Sequence, residues 1–293
     1  MNELYLDIDN WVNLKHAPHF KRFHGCTSIP KTFSVFDWVY WRPKDMNANR
    51  LDNPSPRSIL CLADPRSIYW VLNDAKFDSK PTLLIAGTDS HLSDYIDDLE
   101  SEADRFSRIY FEAKNVESTK VSSFSMGFNA TYIRNSGKEN ILAAVKYSDA
   151  NDKTSLLFSA WGKVWPHLDQ TLSERQSAQD FLDNSSEFER AMVSHEDYWG
   201  VLAKHYFTLS PSGNGVQAPK LAEAWMVKTI PIVIKNACFI DIYQLGYPLI
   251  MINSWDDITE HALNEWIEYY KKVDWNKVRF QLTNQYLNEL VNS

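Results

Sequence analysis

The chain has 293 residues, 44% of them apolar, and a net charge of −8 at neutral pH. That length and apolar share suit two α/β domains with a sizeable core and exclude global disorder. The acidic balance argues against a nucleic-acid partner, which favours a basic face, but leaves room for a nucleotide held by one local cationic patch.

The first 15 residues show no basic stretch followed by an apolar one, so no leader is expected. No apolar run reaches the ~18 residues that span a bilayer. A soluble, cytoplasmic protein without a membrane span is therefore expected. Cys26, Cys61 and Cys238 are too few and scattered for a disulfide framework or a zinc spacing, and their odd number fits a reducing compartment. The 11 Trp, 14 Tyr and 15 Phe point either to a large aromatic core or to stacking platforms for sugar rings.

Residues 1–30 have no clear period and read as an entry strand and covering segment. Residues 33–41 (FSVFDWVYW) alternate as a strand does, and 58–62 and 83–86 are short buried strands. Asp64-Pro65 opens a turn and a helix over 66–72. The strand 83–86 runs into Gly87-Thr88-Asp89-Ser90-His91. Ligands of open α/β sheets bind beyond the carboxyl ends of strands, so Asp89 and His91 are candidate general bases, with Asp64 a weaker one. Each also suits a turn or helix cap. Residues 91–108 form a helix pattern whose many acids read as a solvated face. Strands follow at 108–112 and 120–128, then a partly helical 130–148. The polar run 147–153 (YSDANDK) reads as an inter-domain linker.

A second α/β unit opens with a strand at 154–160 and the loop containing Trp161 and Lys163. A helix over 173–182 carries Arg175, either a diphosphate clamp or a surface arginine. Residues 188–193 read as a weak strand. Ser194 and His195 begin a helix running to 205, with Ser194 suited to capping it. Next comes the most informative stretch, 206–234: a strand ending at Leu209, the loop Ser210-Pro211-Ser212-Gly213-Asn214-Gly215, a helix opened by Pro219, and the strand 230–234. This is a βαβ unit. Gly213 and Gly215 permit positive φ and close approach of a ligand. The helix start lacks a strong cap, so its N–H groups, with Ser212, Asn214 and Lys220, can hold an anion. Glu223, one turn inside, can reach sugar hydroxyls beside it. Phosphate plus sugar describes a nucleotide-sugar site. A strand at 248–252 and a helical tail over 259–291 complete the chain.

Residues 194–255 resemble the C-terminal domain of exostosin-like glycosyltransferases. The resemblance rests on Tyr198, on Ser210-Pro211-Ser212-Gly213-Asn214-Gly215, on Glu223-Ala224 and on Ile230-Pro231-Ile232-Val233. More loosely, Gly87-Thr88-Asp89-Ser90 and Ser125-Met126-Gly127-Phe128 sit where that family has a Gly/Asp loop and a turn. The chain departs from the pattern at Lys220, where the family often has Arg, and at Gln217, where it has a more acidic residue. The short chain looks more like compact glycosyltransferases encoded by large algal viruses, which implies the host cytoplasm.

The resemblance implies a GT-B-like α/β fold: two Rossmann-like domains facing across a cleft, with a C-terminal helical tail. Residues 1–148 would bind the acceptor and 149–262 the nucleotide sugar, with 263–293 forming helices able to pack back on the first domain. It implies a metal-independent, inverting transfer of a sugar, xylose being one candidate, from a UDP-sugar to a glycan hydroxyl. No metal and no other cofactor is required. Asp89 or His91 would act as base. Ser212, Gly213, Asn214, Gly215, Lys220, Glu223, Arg175, Ser194, His195 and Trp161 would hold the donor. A GDP-sugar transferase of the same fold, or a glycan- or nucleotide-binding protein without catalysis, fits the same residues.

Overall fold

The computed structural model describes residues 24–25, 34–40, 51–87, 90–161, 169–188, 190–213 and 215–292. Asp89, Asn214, most of residues 1–30 and the polar stretch 41–50 lie outside them. Strand β1 is the short segment His24–Gly25. The first sheet has five parallel strands in chain order: β2 (Trp38–Tyr40), β3 (Ser58–Leu62), β4 (Thr82–Ala86), β5 (Arg108–Phe111) and β6 (Val121–Ser122). Each is a short apolar run bounded by polar or turn residues, as buried parallel strands are. The 2-residue side-chain period divides them cleanly. Ile59, Cys61, Leu83, Ile85, Ile109 and Phe111 face one way, and Leu60, Leu84, Ala86 and Tyr110 the other.

Sequential strand order with crossovers of one hand puts the connecting helices on a single face. Ile68 of α1 (Pro65–Tyr69), Val71 and Leu72 of the π-helical turn that continues it, and Leu99 of α2 (Ile96–Ser101) pack there. Asp64 caps α1, accepting from the Arg66 and Ser67 amides and from the Ser67 hydroxyl at 3.0, 3.2 and 2.6 Å, the helix-cap role that its position also suits. The bare face needs another cover. It comes from the far end of the chain, where Leu287 and Val291 pack on Phe36, Val39, Leu60 and Leu84.

After β6, strand β7 (Phe128–Asn129) pairs antiparallel with β1. Helices α3 (Ala130–Ser136) and α4 (Lys138–Ala150) follow. The expected linker at 147–153 is instead held in place. Residues 147–150 belong to α4, Asp149 pairs with Lys228 and Arg279 at 2.8 and 2.7 Å, and buried Lys153 donates to the Ala203 and Val227 carbonyls at 2.8 and 2.6 Å.

The second sheet is also parallel and sequential: β8 (Ser155–Phe158), β9 (His205–Leu209), β10 (Ile230–Ile234) and β11 (Ile250–Ile252). Between β8 and β9 run α5 (Asp169–Asn184) and α6 (His195–Leu202). Among the described residues of 188–193 there is no strand; Ala191 N meets Ser159 O, just past the end of β8, at 2.7 Å. Helix α7 (Lys220–Met226) joins β9 to β10. Helix α8 (Ala237–Gln244), for which the sequence reading has no counterpart, joins β10 to β11. The tail divides into α9 (Glu260–Tyr270), α10 (Trp275–Phe280) and α11 (Asn284–Asn292), the last carrying Leu287 and Val291.

One face of this sheet packs Phe207, Leu209, Ile230 and Ile232 on Ala178 and Leu182 of α5 and Leu263 of α9. The other face packs on Trp199, Trp225 and Phe239, in an apolar core continuous with that of the first sheet. Cys61 and Cys238 are buried free thiols within it. Among the described residues, no helix is long and apolar enough to cross a membrane.

Candidate functional site

The carboxyl ends of the two sheets meet. Gln217, in the loop after β9, is almost fully buried and donates to the Glu112 and Phe124 carbonyls, both at 2.7 Å. Its carbonyl oxygen accepts from the Met126 amide at 3.1 Å. Glu112 follows β5, and Phe124 follows β6. Nearby, Asp241 of α8 takes Lys114 Nζ at 2.8 Å and the Ser123 amide at 2.7 Å. The three partners of Gln217 call for an amide at this position. Only an amide supplies donors to two carbonyls and an acceptor to an N–H.

The loop that leaves β9 is held by two consecutive residues of α5. Glu174 accepts from the Ser212 amide at 2.9 Å and from its hydroxyl at 2.7 Å, while Arg175 Nε donates to the Ser212 carbonyl at 2.8 Å. Gly213 does not have a positive φ. A Cβ there would lie 3.4 Å from Gln217 O and 3.5 Å from an Arg175 nitrogen, which are ordinary contact distances, so space alone does not require glycine at this position. Gly215 lies in the bend that leads on to Gln217.

Lys220 does not project from the helix start as the sequence suggests. Its ammonium donates to the Leu209 carbonyl at 2.7 Å and to the Ala160 carbonyl, 5.4 Å from the Phe158 ring centroid. It thus ties together the ends of β8 and β9. Burial first, then the positive charges of Arg175 and Arg190, lower its pKa to about 7, against an opposing pull from Glu223. Glu223 is 4% exposed, and burial pushes its carboxyl up to about 7, opposed by Tyr198 and Lys220. The Tyr198 hydroxyl is buried beside it but makes no hydrogen bond of ordinary geometry among the described residues.

Arg190 is the residue that sequence reasoning misses. It sits in an irregular stretch with no motif around it. Its guanidinium donates to the Trp161 carbonyl at 2.7 Å and to Gln179 at 3.2 Å, and lies 5.0 Å from the Trp161 ring centroid. Its Nε is buried without a partner among the described residues. Arg175 is depressed by burial above all, with Arg190 adding to it. Arg175 and Arg190, with the buried Lys220 amine beside them, therefore concentrate basic groups in an acidic protein. Around them, the hydroxyls of Ser159 and Ser210, each just past the end of its strand, are also buried without partners among the described residues. Buried polar atoms are nearly always paired, so such a group at one sheet edge marks a place where a ligand can supply the missing bonds.

Ser194 caps α6, accepting from the Asp197 amide at 3.1 Å and donating to its carboxylate at 2.7 Å. This accounts for Ser194 structurally. His195 is exposed, its ring 6.2 Å from that of Tyr132 on α3. Across the junction, the loop after β4 is pinned at Gly87, whose φ is +93° and whose amide donates to buried Glu112 at 2.8 Å. His91 begins the turn Leu92–Asp94, and the Leu92 amide reaches Ala113 O at 3.1 Å. His91 Nε2 is buried and unpartnered among the described residues. The His91 loop and the glycine loop are thus both anchored on residues 112–113. Among the described residues, no group of three or more His, Cys, Asp or Glu side chains could hold a metal ion. No known protein family and no curated protein matches this chain.

Proposed function

We propose that the chain is a glycosyltransferase that moves a sugar from a UDP-sugar to a glycan hydroxyl with inversion, in a GT-B-like arrangement. The observation that carries this reading is the group of Arg175, Arg190 and Lys220 at the carboxyl edge of β8 and β9, surrounded by unpartnered polar atoms and adjoining the buried Glu223 carboxylate. That chemistry suits a diphosphate joined to a polyhydroxylated ring.

In this reading Arg175, Arg190 and the Ser210–Gly215 loop bind the diphosphate, and Glu223 accepts from ribose hydroxyls. Tyr198 and the Ser210 hydroxyl complete their missing bonds on the same ligand. The acceptor hydroxyl oxygen bonds to the anomeric carbon as the bond from that carbon to the diphosphate oxygen breaks. The leaving electron pair goes to the diphosphate, where the two guanidinium groups stabilise the growing charge. The proton goes to a base, His91 Nε2 or Asp89. Lys220 acts indirectly, by fixing the strand ends that carry Ser159 and Ser210.

A transfer assay with a UDP-sugar and a glycan acceptor tests this. Glu223→Ala should abolish donor binding. Asp89→Asn and His91→Ala, separately or together, should keep UDP binding while transfer falls. Normal transfer by the double variant refutes the assignment of the base. UDP binding with no transfer to any glycan in the wild type indicates a binding protein instead.

A further inference from the structure

We infer that Tyr132 is a specificity-determining residue of the same site, its ring forming with His195 a wall on which the base of the nucleotide stacks. The inference rests on the donor site proposed above. Tyr132 belongs to α3, a helix that follows the first sheet, and sequence reasoning gives it no role. The Tyr132 amide donates to the Asn129 carboxamide at 3.2 Å, which fixes the first turn of the helix. Helix α3 packs on α6, and this brings Tyr132 beside His195 at the start of α6.

The pair has the layout of a base-binding surface. The ring centroids are 6.2 Å apart with planes 30° from parallel, so the two rings form adjoining panels and not an edge-to-face contact. Tyr132 is 45% exposed, one of few large hydrophobic side chains to be so, and His195 is exposed beside it. His195 lies one turn before Tyr198 on α6, and the Tyr198 ring sits 5.8 Å from that of Phe158, over which the Lys220 ammonium lies. A run of aromatic rings therefore links this wall to the basic group. A ligand with an anionic end and a flat aromatic end, which is a nucleotide, matches both. A bare sugar phosphate leaves the aromatic wall empty.

Calorimetric titration with UDP, GDP and inorganic pyrophosphate tests this on the wild-type chain and on Tyr132→Ala and Tyr132→Phe. Tyr132→Ala should weaken the preferred nucleotide about tenfold or more. Pyrophosphate affinity should stay within about twofold, and Tyr132→Phe should keep most of the nucleotide affinity, since the phenyl ring retains the stacking face. Unchanged nucleotide binding by Tyr132→Ala overturns the role of Tyr132 and leaves the donor site standing. An equal loss for pyrophosphate overturns stacking in favour of an effect on the basic group. A wild-type chain that binds neither nucleotide overturns the donor site itself, and this inference with it.

Discussion

Replacing Gln217 tests the junction between the two sheets. Its carboxamide makes three buried hydrogen bonds, to Glu112 O, Phe124 O and Met126 N. In Gln217→Ala, Glu112 O still accepts from the Ser123 hydroxyl at 3.2 Å. Phe124 O and Met126 N each lose the bond that Gln217 supplies. Each buried orphan costs about 1–3 kcal/mol, so a loss of about 2–6 kcal/mol is expected. Gln217→Glu is nearly the same size but separates shape from chemistry. Its carboxylate keeps the Met126 bond yet faces two carbonyl oxygens. The folded pKa of the new carboxyl should therefore be raised above its unfolded value. Its stability contribution is then present at low pH and lost as pH rises through the folded pKa, by about 1.4 kcal/mol for each pH unit that separates the folded and unfolded values. Urea midpoints at pH 5 and pH 8 measure this. Both variants staying within about 0.5 kcal/mol of wild type at pH 8 would refute the assignment of Gln217 as the anchor.

Three further expectations concern the site. Burial raises Glu223 to about 7 and lowers Lys153 and Lys220 to about 7. The folded chain then binds more protons at Glu223 between pH 4.5 and 7, and the unfolded chain more at the two lysines between pH 7 and 10.5. Their joint contribution to stability should fall toward pH 7 and rise above it, and Glu223→Gln should remove the falling limb of urea midpoints measured from pH 5 to 7. Arg190→Ala should weaken UDP about tenfold or more and leave uridine binding unchanged, since the lost bonds are to phosphate; an equal loss for uridine by calorimetry contradicts this. Asp89→Asn and His91→Asn together should lower turnover about 100-fold or more with the UDP dissociation constant unchanged, and full activity should persist in excess EDTA.

The strands are legible in the sequence because they are short apolar runs between breakers, as in Ser58–Leu62 and Thr82–Ala86, where the pattern is local. The strand, glycine loop, helix and strand of residues 205–234 can be read for the same reason. Helix α8 escapes because ACFIDIYQ is as apolar as a strand; its signal is Asn236, whose side chain accepts from the Phe239 amide at 3.0 Å. The stretch read as a linker is polar without being loose, because polarity does not imply exposure: Asp149 and Lys153 are held by partners distant in sequence. The site shows the same limit. Lys220 looks like a solvent-facing helix-start cation, and only the approach of the Ala160 and Leu209 carbonyls turns it inward. Glu174 is hinted at by its neighbour Arg175, but Arg190 is brought to Trp161 and Tyr132 to His195 by tertiary packing that leaves no mark in local spacing.

The most direct measurement is a thermal-shift comparison of wild type and Glu223→Ala with UDP and with GDP. A nucleotide present at 100 times its dissociation constant stabilises by about 2.7 kcal/mol, which corresponds to about 5 °C for a chain of this size. That shift is expected in the wild type with at least one of the two nucleotides, and none is expected in Glu223→Ala. No shift in the wild type with either nucleotide at millimolar concentration, or an equal shift in both proteins, would contradict the proposed donor site.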